Sequence, residues 1–125
     1  MAKISVCIDV SEMKKAIQFY TKALGCELVE KKEQYTELVA DGLTIYLAEN
    51  AAGTNPLING KAARNYERHW TPIHLDVHVS DIDKSVSMVA ELGGIKEGEK
   101  SGDWGSVAFC ADPFGNGFCL MQYNS

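Results

Sequence analysis

The feature that most constrains this chain is an internal repeat, since two copies of one plan must fold into two copies of one unit. Ile4-Ser5-Val6-Cys7-Ile8-Asp9-Val10 alternates strictly, the mark of a half-buried strand. Ile4, Val6, Ile8 and Val10 share one face, and Ser5, Cys7 and Asp9 share the other. Thr71-Pro72-Ile73-His74-Leu75-Asp76-Val77-His78-Val79 repeats the pattern. There Ile73, Leu75, Val77 and Val79 face the core, His74, Asp76 and His78 point away, and Pro72 sits at the strand entry, where its missing N–H does no harm.

Each strand leads into a helix signal. Ser11 is placed to cap a helix with the apolar stripe Met13, Ala16, Ile17, Tyr20 and Leu24, stopped by Gly25. Ser80 is placed likewise, with Asp83 in capping-box position, the stripe Ile82, Val86, Val89 and Leu92, and the stop Gly93. Ser11 recurs as Ser80, Met13 as Ile82, Ile17 as Val86 and Tyr20 as Val89, an offset of about 69 positions throughout.

Three strands follow each helix, at about 26–32, 34–40 and 43–49 and again at about 94–99, 104–111 and 116–123. Asp41-Gly42 and Ala111-Asp112-Pro113-Phe114-Gly115-Asn116-Gly117 are the matching hairpin turns. The predicted fold is α+β: two tandem βαβββ modules forming a curved mixed sheet around a cleft. The boundaries are a single domain over 1–125, with module 1 at about 1–50, a linker at about 51–69 and module 2 at about 70–125. The linker is rich in Gly, Asn and Pro, with room for one helical turn around 62–67.

Composition removes several partners. At 125 residues, 46% hydrophobic and 23% charged, the chain is ordinary globular material. A net charge of −5 opposes binding to a phosphate backbone, so no nucleic acid is expected. No apolar run approaches the roughly 18 residues of a transmembrane helix, so no membrane is expected either. Met1-Ala2-Lys3 runs straight into the first strand without a signal-peptide core, which makes the cytoplasm the expected compartment. Cys7, Cys26, Cys110 and Cys119 form no Cys-x-x-Cys pair and read as reduced packing thiols.

Alternation also gives the cleft face: Ser5, Cys7 and Asp9; Thr44, Tyr46 and Ala48; His74, Asp76 and His78; Cys119, Met121 and Tyr123. A mixed, partly polar face of this kind suits a small molecule better than a core.

The duplication, Phe19-Tyr20-Thr21-Lys22-Ala23-Leu24-Gly25, Trp104-Gly105 and Asp112-Pro113-Phe114-Gly115-Asn116 together resemble the vicinal-oxygen-chelate superfamily: glyoxalases, bleomycin-resistance proteins and extradiol dioxygenases. The length and the Trp104-Gly105 segment look most like the bleomycin-resistance branch, which implies a homodimer whose subunits pair to complete two clefts. The resemblance also implies four metal-ligand slots, one on each of four strands, filled here by Ser5, Tyr46, His74 and Cys119. His74 alone is a usual ligand, and Cys119 stands where the pattern has Glu, so the metal centre is read as absent and no cofactor is expected. A soft His/His/Cys or His/Asp/Cys zinc set is the opposing case. His74 and His78 are roughly 13 Å apart along a strand and do not easily share an ion.

The ligand-binding candidates are Trp104, Tyr46, His74, Asp76, Cys119, Tyr123 and Asp9. Trp104 follows a polar turn and is placed to stack on a planar ligand; Tyr46 and Tyr123 add a ring and a hydroxyl. Asp9 and Asp76, with the acidic balance, favour a cation. Tyr20 is read as core, Trp70 as packing between the halves, and His69 as a solvated loop residue. The expected function is a metal-free small-molecule-binding protein that sequesters an aromatic or cationic antibiotic-like compound. The alternatives are a metal-dependent lyase, isomerase or dioxygenase of the same superfamily, or a metal-free enzyme with His74 as general base.

Overall fold

A computed structural model describes residues 1–124. The order is β1 (Ser5–Val10), α1 (Met13–Gln18) continuing as a π-helical turn (Phe19–Ala23), β2 (Glu27–Lys31), β3 (Tyr35–Ala40) and β4 (Leu43–Glu49). Then come β5 (Leu75–His78), α2 (Ile82–Glu91), β6 (Ile95–Gly102), β7 (Gly105–Ala111) and β8 (Gly117–Tyr123). The strands form two four-stranded mixed sheets, β1-β4-β3-β2 and β5-β8-β7-β6. The first strand of each module pairs parallel with its fourth, and the other ladders are antiparallel. This is βαβββ twice.

The helical elements of both modules pack between the sheets. Phe19 meets Tyr20 and Phe118 edge-on, at ring-centroid distances of 5.3 and 5.9 Å. Val10, Leu38, Leu47, Val89 and Leu120 are fully buried with them in a core drawn from both modules. The opposite face of each sheet is left open, and that positions the candidate site.

Helix starts repeat in a way the cap reading missed. Neither Ser11 nor Ser80 caps. The N-cap of α1 is Glu12, with no side-chain bond, and that of α2 is Asp81, whose carboxylate accepts from Lys84 N–H at 3.1 Å. Instead the fourth strand of each module reaches the helix. Met13 N–H donates to Glu49 Oε2 at 2.7 Å, and Ile82 N–H donates to Gln122 Oε1 at 2.8 Å. A carboxylate or amide from a neighbouring strand satisfies the free donor as well as a local hydroxyl does.

At the β3–β4 hairpin, Asp41 (φ 43°) and Gly42 (φ 85°) both take positive φ, as a two-residue type I′ turn requires. The β7–β8 turn is built around Asp112. Its buried carboxylate accepts from Phe114 N–H (2.8 Å), Asn116 N–H (2.9 Å), Asn116 Nδ2 (3.0 Å) and Tyr20 Oη–H (2.6 Å). The last bond ties the first helix to the second module and confirms Tyr20 as core.

Three expectations are corrected. The fifth strand is shorter than Thr71–Val79, because residues before Leu75 find no ladder partner. Ile4, Ile73 and Trp70 therefore lie beyond the packed region and are exposed, Trp70 by 81% rather than buried between the halves. The linker has no helical turn at 62–67. It is strapped to β1 instead: Arg64 Nε and Asn50 Nδ2 donate to the Asp9 carboxylate at 3.0 Å each, and Tyr66 Oη–H donates to Asn50 O at 2.6 Å. No helix among the described residues is long and apolar enough to cross a membrane.

Candidate functional site

The seven candidate residues do not form one site; the structure sorts them into four places.

His74, Asp76 and Cys119 come together on the second sheet. Asp76 lies opposite Cys119 in the parallel β5–β8 register, and His74, two residues earlier, sits just before β5 with its ring beside Asp76. His74 Nδ1 is 3.0 Å from Asp76 Oδ1 and 3.8 Å from Cys119 Sγ. His74 and Asp76 are half-exposed, whereas Cys119 is buried. Burial, and then the charge and hydrogen bond of Asp76, push the Cys119 thiol up from its ordinary value. A hollow of about 340 Å³ opens beside this cluster, lined by Arg68, Trp70, His74, Phe109 and Cys119 among others. Arg68 is committed there, donating from Nε to Glu97 at 2.6 Å.

Trp104 and Tyr123 are at the other end of the same sheet. Their rings are 5.9 Å apart, and the Tyr123 ring lies 5.3 Å from that of His78. This aromatic trio does not overhang His74; Tyr123 is four residues from Cys119, roughly 13 Å along the strand.

Tyr46 is on the other sheet. It lines a hollow of about 390 Å³ with Cys7, Glu30, Lys32, Tyr35 and Glu37. Glu37 faces Tyr46 directly in the β3–β4 register, and Cys7 faces Tyr46 in β1–β4. Glu37 makes no ion pair among the described residues. Burial, and then the charge of Asp9, push the Cys7 thiol up. Tyr35, Glu37 and Glu30 are the residues sequence reasoning missed. The signal is present in the sequence: Tyr35-Thr36-Glu37-Leu38 alternates as β1 does, with Thr36 and Leu38 buried, which carries the open face onto the third strand.

Asp9 is not a free cleft acid, because Arg64 neutralises it. With His74, His69 and Tyr20 it lines a cavity of about 310 Å³ between β1 and β5, under the linker. That cavity's polar groups are largely spent on holding the linker. Arg64 and Asn50 are on Asp9, Tyr66 is on Asn50, and His69 Nδ1 lies 2.9 Å from Glu67 O. His69 is exposed in the linker, as a solvated loop residue would be, and its side-chain hydrogen bond is local. Among the described residues all four cysteines are free thiols; three are buried, and Cys7 is exposed on the open face.

Paired βαβββ modules around a shared core, with an open face on each sheet, define a protein of the vicinal-oxygen-chelate superfamily. Residues 5–121 match the glyoxalase-like domain, and the chain belongs to that family. It is similar to a probable lactoylglutathione lyase of Vibrio cholerae, 27% identical over 118 residues that cover 92% of this chain and 86% of the relative. It is also 27% identical over 122 residues (95% of this chain) to a probable chloroplastic lactoylglutathione lyase of Arabidopsis thaliana, of whose length it spans only 35%. In fold it resembles the fosfomycin resistance protein FosX of Listeria monocytogenes, with a TM-score of 0.73 at 16% identity, covering 99% of this chain and 94% of that one. It also resembles SMU.1112c, with a TM-score of 0.67 at 24% identity over 97% and 98% of the two chains.

The Listeria protein has been solved with Mn(II). The residues at the four superfamily slots here do not fit such an ion. Ser5 and Tyr46 offer only neutral hydroxyls, and Cys119 offers a buried thiol where a hard divalent ion needs carboxylate, carbonyl or imidazole donors.

Proposed function

We propose that this protein binds a small cationic or amine-bearing aromatic molecule and sequesters it. The observation that carries this reading is the hollow on the first sheet. Tyr35 and Tyr46 line it with Glu37, an acid that makes no ion pair among the described residues, while Lys32 of the same lining pairs with Glu30. Aromatic faces together with an uncompensated carboxylate recognise an organic cation. The case for a cation thus moves from Asp9 and Asp76, both of which are paired, to Glu37. The hollow's volume is in the range of small-molecule sites. Sequestration in this hollow is favoured over turnover because no nucleophile–base–orienter set among the described residues lines it. Trp104 and Tyr123 form a second aromatic surface on the other sheet, and among the described residues none lines both sheet hollows. In a homodimer, the first sheet of one copy facing the second sheet of another would close a cleft from both.

The test is isothermal titration with a quaternary benzylammonium ion and with its uncharged tert-butyl analogue. The cation is expected to bind saturably and the neutral analogue to bind more weakly. Glu37→Gln is expected to lower the cation's affinity about tenfold, about 1.4 kcal/mol of lost Coulomb attraction at a partly exposed site. Equal binding of both probes, or an unchanged affinity in Glu37→Gln, would overturn the reading. Light scattering of the same samples tests the dimer.

A further inference from the structure

The cluster on the second sheet lies outside the hollow used above and carries its own chemistry. The donor atoms of His74, Asp76 and Cys119 all lie within 4.8 Å of one another. Zinc bound at about 2.3 Å from sulfur and about 2.0–2.2 Å from nitrogen and oxygen sets its donors roughly 3.3–3.7 Å apart in a tetrahedron. The observed 3.0 and 3.8 Å separations from His74 Nδ1 bracket that range. The remaining adjustment falls on His74 and Asp76, whose side chains are 50% and 46% exposed and free to turn, while Cys119 is fixed in β8.

The way the three groups meet separates a chelate from a catalytic triad. In a nucleophile–base–acid relay, the nucleophile and the orienting carboxylate engage opposite nitrogens of the imidazole. Here both Asp76 and Cys119 approach the same atom, Nδ1. No proton can pass from sulfur through the ring to the carboxylate in that arrangement. Convergence on one point is what a bound ion requires. His78 is not part of the set, since its ring is turned toward Tyr123.

We propose that His74, Asp76 and Cys119 form a three-donor zinc site whose fourth position opens into the hollow beside Trp70 and Phe109. The site keeps His74 and Cys119, two of the four superfamily slots, and differs from that centre in its third donor, Asp76. All its donors come from one module, from β5 with the residue just before it and from β8; Asp76 fills none of the four slots, and the thiolate–imidazole–carboxylate set selects a borderline ion over Mg, Ca or Mn. Three protein donors with one open position leave room for a ligand carrying its own donor atom. This inference goes beyond the proposed function and does not depend on it.

The full chain, stripped of metal by a chelator and then dialysed, is titrated with Zn(II) against a chromophoric competitor. In parallel it is loaded with Co(II) and its absorption recorded, with no organic ligand present. One zinc per chain is expected, with a thiolate-to-cobalt charge-transfer band and tetrahedral d–d bands. Cys119→Ser, close to isosteric for a buried thiol, is expected to abolish the charge-transfer band. His74→Ala, at an exposed position that does not endanger folding, is expected to weaken zinc by at least about 100-fold, the upper end for loss of a mere outer partner. Asp76→Asn is expected to weaken it by at least about tenfold, whereas His78→Ala and Cys7→Ser leave both readouts unchanged. Less than stoichiometric binding, a charge-transfer band lost in Cys7→Ser rather than Cys119→Ser, or an affinity indifferent to His74→Ala would overturn the site. Benzylammonium binding on the first sheet is read separately, so either proposal can fail alone.

Discussion

The bond between Tyr20 and Asp112 joins residues on different modules, and its removal should loosen the whole core. Asp112 is 4% exposed and Tyr20 is 3% exposed. Asp112→Ala removes the acceptor of four hydrogen bonds at once. Two of their donors, the Tyr20 hydroxyl and Phe114 N–H, sit in buried bonds and find no water. The two donors on Asn116 are only part-buried and can turn toward solvent. A stranded buried donor costs about 1–3 kcal/mol, so two give about 2–6 kcal/mol, centred near 4. That is a large share of the roughly 5–15 kcal/mol that holds a domain together. Tyr20→Phe removes one bond and leaves the carboxylate three donors, at about 1–2 kcal/mol. In the Asp112→Ala background Tyr20→Phe should instead be neutral or stabilising, because it deletes a stranded hydroxyl. Urea unfolding followed by tryptophan fluorescence and far-UV dichroism measures all four corners of the cycle, with midpoints shifted at constant slope. The pair also sets an alkaline limit. Burial, and then the charge and hydrogen bond of Asp112, hold the Tyr20 phenol well above its ordinary value of 10.0. Its contribution is fully present below that value and is lost as the pH rises through it toward the folded value, because the unfolded chain ionises first. Tyr20→Phe should flatten that part of the alkaline limb. A cost below about 1 kcal/mol for Asp112→Ala, or no coupling with Tyr20→Phe, would refute the reasoning.

Two further outcomes follow from local geometry. Gly115 has φ +83° and a Cβ there would lie 2.2 Å from Glu67 O, so Gly115→Ala should both strain the turn and push the linker off it; Gly25, at φ +76° with nothing within 4 Å, is the control. Chemical denaturation should show Gly25→Ala costing about 1–2 kcal/mol and Gly115→Ala clearly more, with faster proteolysis near residues 64–69 in the latter alone. Arg68, through its hydrogen bond, holds the Glu97 carboxyl below its ordinary value of 4.5, so this pair's stabilisation is present above that value and is lost as the pH falls below it. Since both side chains are about a third exposed, thermal unfolding across the acid range should show Glu97→Gln flattening the limb by less than about 1 kcal/mol.

The fold was legible because alternation, helix stripe and glycine stop recur together, and only a duplicated unit explains a constant offset across all three. What misled at the element ends was the absence of partners. Ile73 and Ile4 fit the strand pattern, but no neighbouring strand extends far enough to bury them, and a single strand's alternation says nothing about its neighbour's length. The helix caps failed for a related reason: Glu49 and Gln122 are far from Met13 and Ile82 in sequence, so only the parallel pairing of first and fourth strands brings them to the helix ends. In sequence Asp112 is a turn former, and its bond to Tyr20 spans 92 positions that no local signal covers. The site was legible only in part. His74 and Cys119 were found as counterparts of superfamily positions, while Tyr35 and Glu37 needed the alternation carried onto the third strand.

The repeat also explains why the two open faces now differ. In β1 and β4, Cys7 stands opposite Tyr46; in β5 and β8, Asp76 stands opposite Cys119. The offset carries Ser5 onto His74 and Cys7 onto Asp76. The counterpart of the His74–Asp76–Cys119 cluster is therefore Ser5, Cys7 and Tyr46. Cys7 and Tyr46 sit on a parallel first–fourth strand pair just as Asp76 and Cys119 do, while Ser5 pairs with Thr44 inside β1 and His74 lies just before β5, so the shared pairing alone is not what makes one a donor set and the other an aromatic hollow. Side-chain identity decides it. Histidine and aspartate reach over a thiol on one face. On the other, serine and cysteine are too short to reach over Tyr46, which leaves the ring open beside Glu37. A Ser5→His, Cys7→Asp, Tyr46→Cys triple variant should then bind a second zinc per chain and lose the benzylammonium ion. A variant that folds and still binds only one zinc would show that strand register alone does not set the donor geometry.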